Sequence, residues 1–272
     1  MNSLSRRRLI QAGIAATGAA LIAGDSADRA QPPVSAALAP PGLAPGSPSP
    51  SAAPSLSPSP SPMEPLARPV FTLSDYRKIV PGPAFPDNAV ALTIDDGPHP
   101  AWTPQVLRLL ERYNVPALFC LIGNQVLGHE NVARSIVEAG HQVANHTWSH
   151  PAAIAGMPAD RVQQEIDRAQ EKIHDTTGHT PSIFRSPGGA VSPTVFAAAA
   201  KARMVPMNWS DDPRDWTRPG VQAITNRLLA ARPGQILLCH DGGGDRSQTC
   251  TALRTVLPAL QARGLQFVVL AG

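Results

Sequence analysis

From residue 90 to the C-terminus, short apolar runs alternate with amphipathic stretches in a regular way. Residues 90–94 form an apolar, β-prone run that Gly97-Pro98 breaks, which predicts a buried strand. Residues 103–113 carry Val106, Leu109 and Leu110 at helical spacing among Arg108, Glu111 and Arg112. With Pro104 in the first turn, this predicts an amphipathic helix. Residues 116–122 are continuously apolar up to Gly123 and predict a second strand. The same reading gives helices over 131–139, 158–177, 193–203, 221–231 and 251–263, and strands over 141–145, 182–185, 204–208, 235–239 and 266–270. Seven strands alternating with helices predict an α/β domain, a parallel sheet with helices outside it. Function in such folds collects on the loops after the strand C-termini. The residues able to do chemistry fall there repeatedly: Asp95 and Asp96, His146, Arg185, the aspartates of 211–215, and His240.

The chain before this domain reads differently. Ser5-Arg6-Arg7-Arg8-Leu9-Ile10-Gln11 precedes an uncharged run over 12–24, a basic segment followed by a short, weakly hydrophobic one. That pattern predicts an export signal over 1–30 of the twin-arginine kind. Residues 31–69 are mostly Pro, Ala and Ser, with almost no charge, and predict a disordered linker or stalk. The compact domain is then 70–272, long enough for one substantial core. Within 1–30, four arginines face two aspartates, so +2 of the formal net charge of +3 sits there. The remainder is close to neutral, which argues against a nucleic-acid partner. Of three cysteines, Cys120, Cys239 and Cys250, at least one stays unpaired, and Cys239 with Cys250 is a candidate disulfide.

Two constellations carry chemistry. Successive side chains alternate in a strand, so Asp95 and Asp96 are expected to point different ways, one to bind a metal and one to move a proton. By itself an Asp-Asp-Gly-Pro segment is also an ordinary turn. His146 and His150 stand four residues apart just after a strand, and one helical turn there would aim both imidazoles at a shared ion. Two histidines and a carboxylate make an open metal site with room for water and substrate. Each pattern alone is common; the two together at strand ends point to one active site.

At this point a resemblance covers nearly the whole domain. Thr93-Ile-Asp-Asp-Gly-Pro98, His146-Thr-Trp-Ser-His150, Arg185-Ser-Pro-Gly-Gly189, Asp212-Pro-Arg-Asp-Trp216 and Leu237-Leu-Cys-His-Asp241 stand in this order. They resemble the five motifs of the polysaccharide deacetylases with a NodB homology domain, carbohydrate esterase family four. Two positions depart from the usual pattern: Ile94 where Phe is commoner, and Gly188-Gly189 where many members have an aromatic residue first, which implies a more open rim.

The resemblance implies a (β/α)7-type distorted barrel of the NodB kind. It implies a divalent metal, zinc first and cobalt, nickel or manganese as alternatives, held by Asp96, His146 and His150 and acting as a Lewis acid on the acetyl carbonyl and a water. Asp95 would be the general base, with Arg185 pairing with it and orienting it. His240 would be the general acid, oriented by Asp215 in preference to Asp211 or Asp212. Gly188 would donate its amide to the oxyanion, and Trp216 and Leu238 would line the acetyl pocket. The implied reaction is hydrolytic deacetylation of an N-acetylated, less commonly O-acetylated, polysaccharide. Peptidoglycan ranks first, chitin-like oligosaccharides second and acetylated xylan third. The expected protein is exported or cell-wall associated, monomeric, and without a membrane span once mature. The alternatives are a small-molecule amidase, for which a lidded pocket would speak, and a catalytically silent carbohydrate-binding domain.

Overall fold

The computed structural model describes residues 63–270. The expected export signal and most of the expected linker lie outside the described residues. Met63 and Leu66, at the start of the described chain, pack partly buried against the core. Helix α1 (Leu73–Ile79), capped by the Thr72 side chain, precedes the first strand. Then come β1 (Ala89–Asp95), α2 (Thr103–Tyr113), β2 (Leu118–Leu121), α3 (Gly123–Val126), α4 (Glu130–Glu138), β3 (Gln142–Asn145) and α5 (Ala159–Thr177). The chain continues through β4 (Ile183–Phe184), α6 (Pro193–Lys201), β5 (Val205–Pro206), α7 (Val221–Leu229), β6 (Ile236–His240), α8 (Ser247–Ala262) and β7 (Gln266–Phe267).

All seven strands are parallel, in the order β5-β4-β3-β2-β1-β6, with β7 paired to the start of β1. The two ends of this sheet meet through an isolated bridge, Asp211 with Leu237, and Val70 bridges Met207 beyond β5. The result is a distorted parallel barrel: the alternation predicts the parallel sheet with outer helices, and the resemblance implies the barrel.

Strand alternation decides what faces the interior. On β1, Val90, Leu92 and Ile94 pack outward into the cluster shared with Val106 and Leu110 of α2 and Leu253 and Val256 of α8. Ala89 and Ala91 face inward with Leu118, Cys120, Ala144, Ile183 and Ile236, and α1 adds Leu73 and Tyr76 to this cluster. Thr93 and Asp95 continue the inward parity of Ala89 and Ala91, so β1 delivers a carboxylate to the barrel mouth as its last residue. Small residues inside leave room for what the other strands deliver there.

Several boundaries differ from expectation. The final strand ends at Phe267 rather than 270; Val268 still donates to Val90, but the Leu270 amide turns to the Gln142 side chain. The last helix starts at Ser247 rather than 251, its first amide held by Asp245 Oδ1 at 2.9 Å. Its polar first turn, Ser247-Gln248-Thr249, hides the helical period. Helices α1 and α3 escaped the pattern because each is under two turns of paired apolar positions. All three cysteines are free and buried, so the Cys239–Cys250 disulfide does not form. No helix of the described residues is long and apolar enough to cross a membrane.

Pro258 lies inside α8 and has no amide hydrogen for the carbonyl of Arg254. The Tyr113 hydroxyl donates to that carbonyl instead, at 3.2 Å. Tyr113→Phe should therefore destabilise the native chain by about 1 kcal/mol in urea titrations. In a Pro258→Ala background, where the helix satisfies its own carbonyl, that loss should shrink towards zero, a coupling that a double-mutant cycle reads directly.

Candidate active site

Asp95, His146, Arg185 and His240 follow the inward-facing parity of their strands and meet at the barrel mouth. Arg185 is 0 % exposed, the largest fully buried side chain among the described residues. Its Nη1 donates to Asp95 Oδ1 at 2.8 Å and to Thr93 Oγ1 at 2.7 Å. Its Nη2 donates to the Asn208 carbonyl at 3.0 Å and its Nε to that of Met207 at 3.3 Å. A guanidinium with partners on all three nitrogens and a buried carboxylate counter-ion is fixed in both position and charge. The surface salt bridge that a lone arginine suggests is excluded by this burial.

Asp96 does not simply alternate with Asp95. The strand ends at Asp95, and Asp96 takes a left-handed φ of 74°, which swings its carboxylate back over the mouth. Nor do His146 and His150 share a helical turn: Thr147 and His150 have φ of 65° and 57°, in an irregular loop. Asn145 Oδ1 accepts from the Thr147 amide, and Thr147 Oγ1 accepts from the His150 amide. The two imidazoles converge all the same. His146 Nε2 and His150 Nε2 each lie 3.4 Å from Asp96 Oδ1. His146 Nδ1 donates to the Arg185 carbonyl at 2.7 Å, which leaves the Nε2 lone pair facing Asp96.

These three residues offer two imidazole nitrogens and a carboxylate oxygen within 4.8 Å of one another. Asp96 Oδ1 is buried without a hydrogen-bond partner, although it faces two nitrogens. An orphaned carboxylate oxygen opposite two lone pairs fits a divalent cation, and the donor set suits zinc and its neighbours. Burial alone would raise the Asp96 pKa, but the imidazole of His146, with those of His240 and His150 behind, holds it well below the usual carboxylate range. Burial above all pushes His150 down, towards the neutral imidazole that a cation needs.

Across the mouth, the β1–β6 register pairs Asp95 with His240. His240 Nδ1 donates to Asp215 Oδ1 at 2.7 Å, and its backbone amide donates to Asp215 Oδ2 at 2.9 Å. Thr249 Oγ1 donates to the same Oδ2 at 2.8 Å, so the buried Asp215 is held on both oxygens. Burial would lower the His240 pKa; Asp215, with smaller contributions from Asp95 and Asp96, overcomes it and lifts the imidazole to about 9. The neighbouring aspartates play other parts. Asp211 pairs with Arg227 at 2.6 Å in the bridge that closes the sheet, whereas Asp212 lines the cavity.

The cavity above these groups has a volume of about 660 Å³ and is walled by Leu238, Trp209, Trp216, Pro187 and Gly188. Leu238 is buried, but Trp216 is 49 % exposed, a rim residue rather than core packing. Gly188 has a φ of 59°, and a side chain there would meet nothing within 4 Å, so the rim is open on this side. A larger cavity of about 900 Å³ opens at the opposite, N-terminal end of the strands, around Asn88, Pro116, His141 and Gln266, away from the motif residues. Cys239 and Cys120 are fully buried, which pushes both thiols well above their ordinary range.

Sequence reasoning missed Thr93 and Thr249, which complete the partners of Arg185 and Asp215. It also missed Gly242, where any Cβ would strike the Asp96 carbonyl. The run Gly242-Gly243-Gly244 directly after His240-Asp241 was the available signal.

With this geometry, comparison with known proteins is informative. The family model described as Polysaccharide deacetylase matches residues 82–207. A peptidoglycan-N-acetylglucosamine deacetylase of Bacillus cereus is 39% identical over 185 residues, covering 67% of this chain and 86% of that protein. The chain belongs to the polysaccharide deacetylase family. Another member, a chitooligosaccharide deacetylase of Bradyrhizobium sp., is 43% identical over 191 residues, 65% of this chain and 87% of that one. Among solved structures, a peptidoglycan N-acetylglucosamine deacetylase in complex with a substituted N-oxidanyl-benzamide superposes with a TM-score of 0.66 at 31% identity. It covers 73% of this chain and 89% of its own.

Removing the guanidinium should leave Asp95 buried and unpaired. Arg185→Met is expected to lower the unfolding free energy by about 3–5 kcal/mol in urea titrations. The double variant Arg185→Met with Asp95→Asn should recover part of that loss, because no buried charge is then left without a partner.

Proposed function

We propose that the protein is an exported, metal-dependent hydrolase that removes N-acetyl groups from a β-linked amino-sugar polymer. Peptidoglycan is the first candidate and chitin-like oligosaccharide the second, in line with the relatives above. The observation that carries this reading is the separation of roles between adjacent carboxylates. Asp95 is clamped by Arg185 on one oxygen, and Asp96 faces His146 and His150. We read the export route as the twin-arginine pathway, the mature protein as a monomer and the metal as zinc, held by Asp96, His146 and His150.

When bound there, the cation supplies Lewis-acid polarisation of the acetyl carbonyl and acidification of a water. The chain's own groups do the rest. Arg185 occupies Asp95 Oδ1, so Oδ2 is the oxygen that accepts the proton of the attacking water. The backbone amide of Gly188 is assigned to the developing oxyanion, and Leu238 and Trp216 offer apolar surface to the acetyl methyl. Asp215 holds His240 Nδ1, which fixes Nε2 as the donor to the leaving nitrogen. The carbon–nitrogen bond breaks as that nitrogen takes the proton, giving acetate and a free amine. A half-exposed Trp216 beside an unobstructed Gly188 favours a polymer lying across the mouth over a small amide enclosed in it.

Acetate release by the full chain with zinc, measured on N-acetylglucosamine oligomers and on peptidoglycan, tests the proposal. Chelator should abolish release, and Asp95→Asn should lower kcat by about 10²–10⁴-fold. Absence of release from both polymers by the zinc-loaded protein would overturn it.

His240 must carry its proton to act as an acid, and its raised pKa keeps it charged through neutral pH. The rate should therefore fall as pH rises through the His240 pKa. Asp215→Asn should move this alkaline limb of kcat/KM down towards the ordinary imidazole value, by at least about one unit. The stability that the His240–Asp215 pair contributes has the same sign: complete below the unfolded imidazole pKa and lost as pH climbs towards 9.

A further inference from the structure

Arg246 lines the same cavity, takes no part in the reaction proposed above and belongs to none of the five motifs. It is 3 % exposed. Its Nε donates to the Gly242 carbonyl at 2.6 Å and its Nη1 to the Trp216 carbonyl at 3.3 Å. Among the described residues its Nη2 has no hydrogen-bond partner, and no carboxylate lies within 4.0 Å of the guanidinium. Asp245, its neighbour in the chain, pairs with Arg218 instead, at 2.8 Å. The contrast with Arg185 is sharp: both are buried arginines of one site, but only Arg185 has a counter-ion. A buried cation with carbonyl partners alone is costly unless something else neutralises it.

The position of the free nitrogen says what that something can be. Gly243 has a φ of 71°, and a Cβ there would lie 2.9 Å from Asp96 Oδ2 and 3.1 Å from Arg246 Nη2. Metal-site carboxylate and guanidinium thus flank one gap, kept clear by the absence of a side chain. A group bound at Nη2 stands beside the acetamide being cleaved, on the same sugar or on the one joined to it. Nη2, with neither hydrogen committed to a partner, can donate to the oxygens of a carboxylate. The guanidinium offers one positive charge, which a monoanionic carboxylate balances and a dianionic phosphate exceeds.

We infer that Arg246 is a specificity-determining residue that binds a carboxylate carried by the substrate sugar, so that the site selects acidic amino-sugar polymers over neutral ones. This rests on the deacetylase reading of the site. The test compares two tetramers of the peptidoglycan disaccharide repeat freed of stem peptides. One has free lactyl carboxylates, and in the other these are converted to methyl amides. For the zinc-loaded full chain, kcat/KM should favour the acid form. Arg246→Gln should reduce the acid-to-amide ratio by about tenfold or more, the loss expected for one charge-assisted hydrogen-bonded contact. Because it is a ratio, it is insensitive to the fraction of variant that folds. A wild type without preference for the acid form, or a ratio unchanged in Arg246→Gln, overturns the inference.

Absence of acetate release from either tetramer and from neutral oligomers would count against the deacetylase reading instead. Calorimetry then decides the role of Arg246. N-acetylmuramic acid should bind the wild type at least about tenfold more tightly than Arg246→Gln, and equal binding overturns the inference.

Discussion

The buried contact between Arg185 and Asp95 is the constraint on which the rest of the site depends. Through its guanidinium, Arg185 ties β1 to the carbonyls of Met207 and Asn208, just past β5. Through its own carbonyl it holds His146 Nδ1, and so turns Nε2 towards Asp96. One residue therefore positions both the proposed base and a proposed metal ligand. Such a pair earns little stability over well-packed apolar residues, since desolvating two charges offsets most of their attraction. What it supplies is registration: a carboxylate with one oxygen occupied and one free, at a fixed place between the histidines of the metal triad and His240.

The barrel makes this arrangement possible by parity and register. Asp95, His146, Arg185, Leu238 and His240 share the inward parity of their strands, and the parallel β1–β6 ladder sets Asp95 opposite His240. Neighbouring parallel strands lie about 5 Å apart, so base and acid can flank one bond without any special loop. The interior below combines the small side chains of Ala89, Ala91 and Ala144 with larger apolar ones such as Leu118, Ile183 and Ile236. Polar groups accumulate only where the strands end and partners are available. Of the two buried arginines there, Arg185 has a carboxylate counter-ion and Arg246 has carbonyl partners alone.

Much of this was legible in the residues. The strand-ending Asp95, the histidine pair and Arg185 announced themselves because strand and loop punctuation by Gly and Pro is strong around each. Helical and strand periods located the seven strands and six of the helices between them to within a few residues, since each of those helices carries an apolar face. The backbone of the loops was not legible. Left-handed φ values at Asp96, Thr147 and His150 are set by tertiary hydrogen bonds such as those of Asn145 and Thr147, which no local propensity reveals. Convergence of His146 and His150 was expected through a helical turn and is achieved through an irregular loop instead. The short α1 and the polar start of α8 were hidden for want of apolar period. Thr249 was invisible because its partner, Asp215, is distant in sequence, and Arg246 because it belongs to none of the five motifs.

The account's central claim is that adjacent aspartates have been given different work, Asp96 to hold the cation and Asp95 to move a proton. Equilibrium zinc titration of the full chain, with Asp96→Asn and Asp95→Asn side by side, tests it most directly, because the two substitutions are isosteric and one residue apart. The account predicts that Asp96→Asn weakens zinc binding by about tenfold or more, as loss of a charged ligand should. Asp95→Asn should bind zinc to within a few-fold of the wild type. Equal losses in the two variants, or the larger loss in Asp95→Asn, would contradict it.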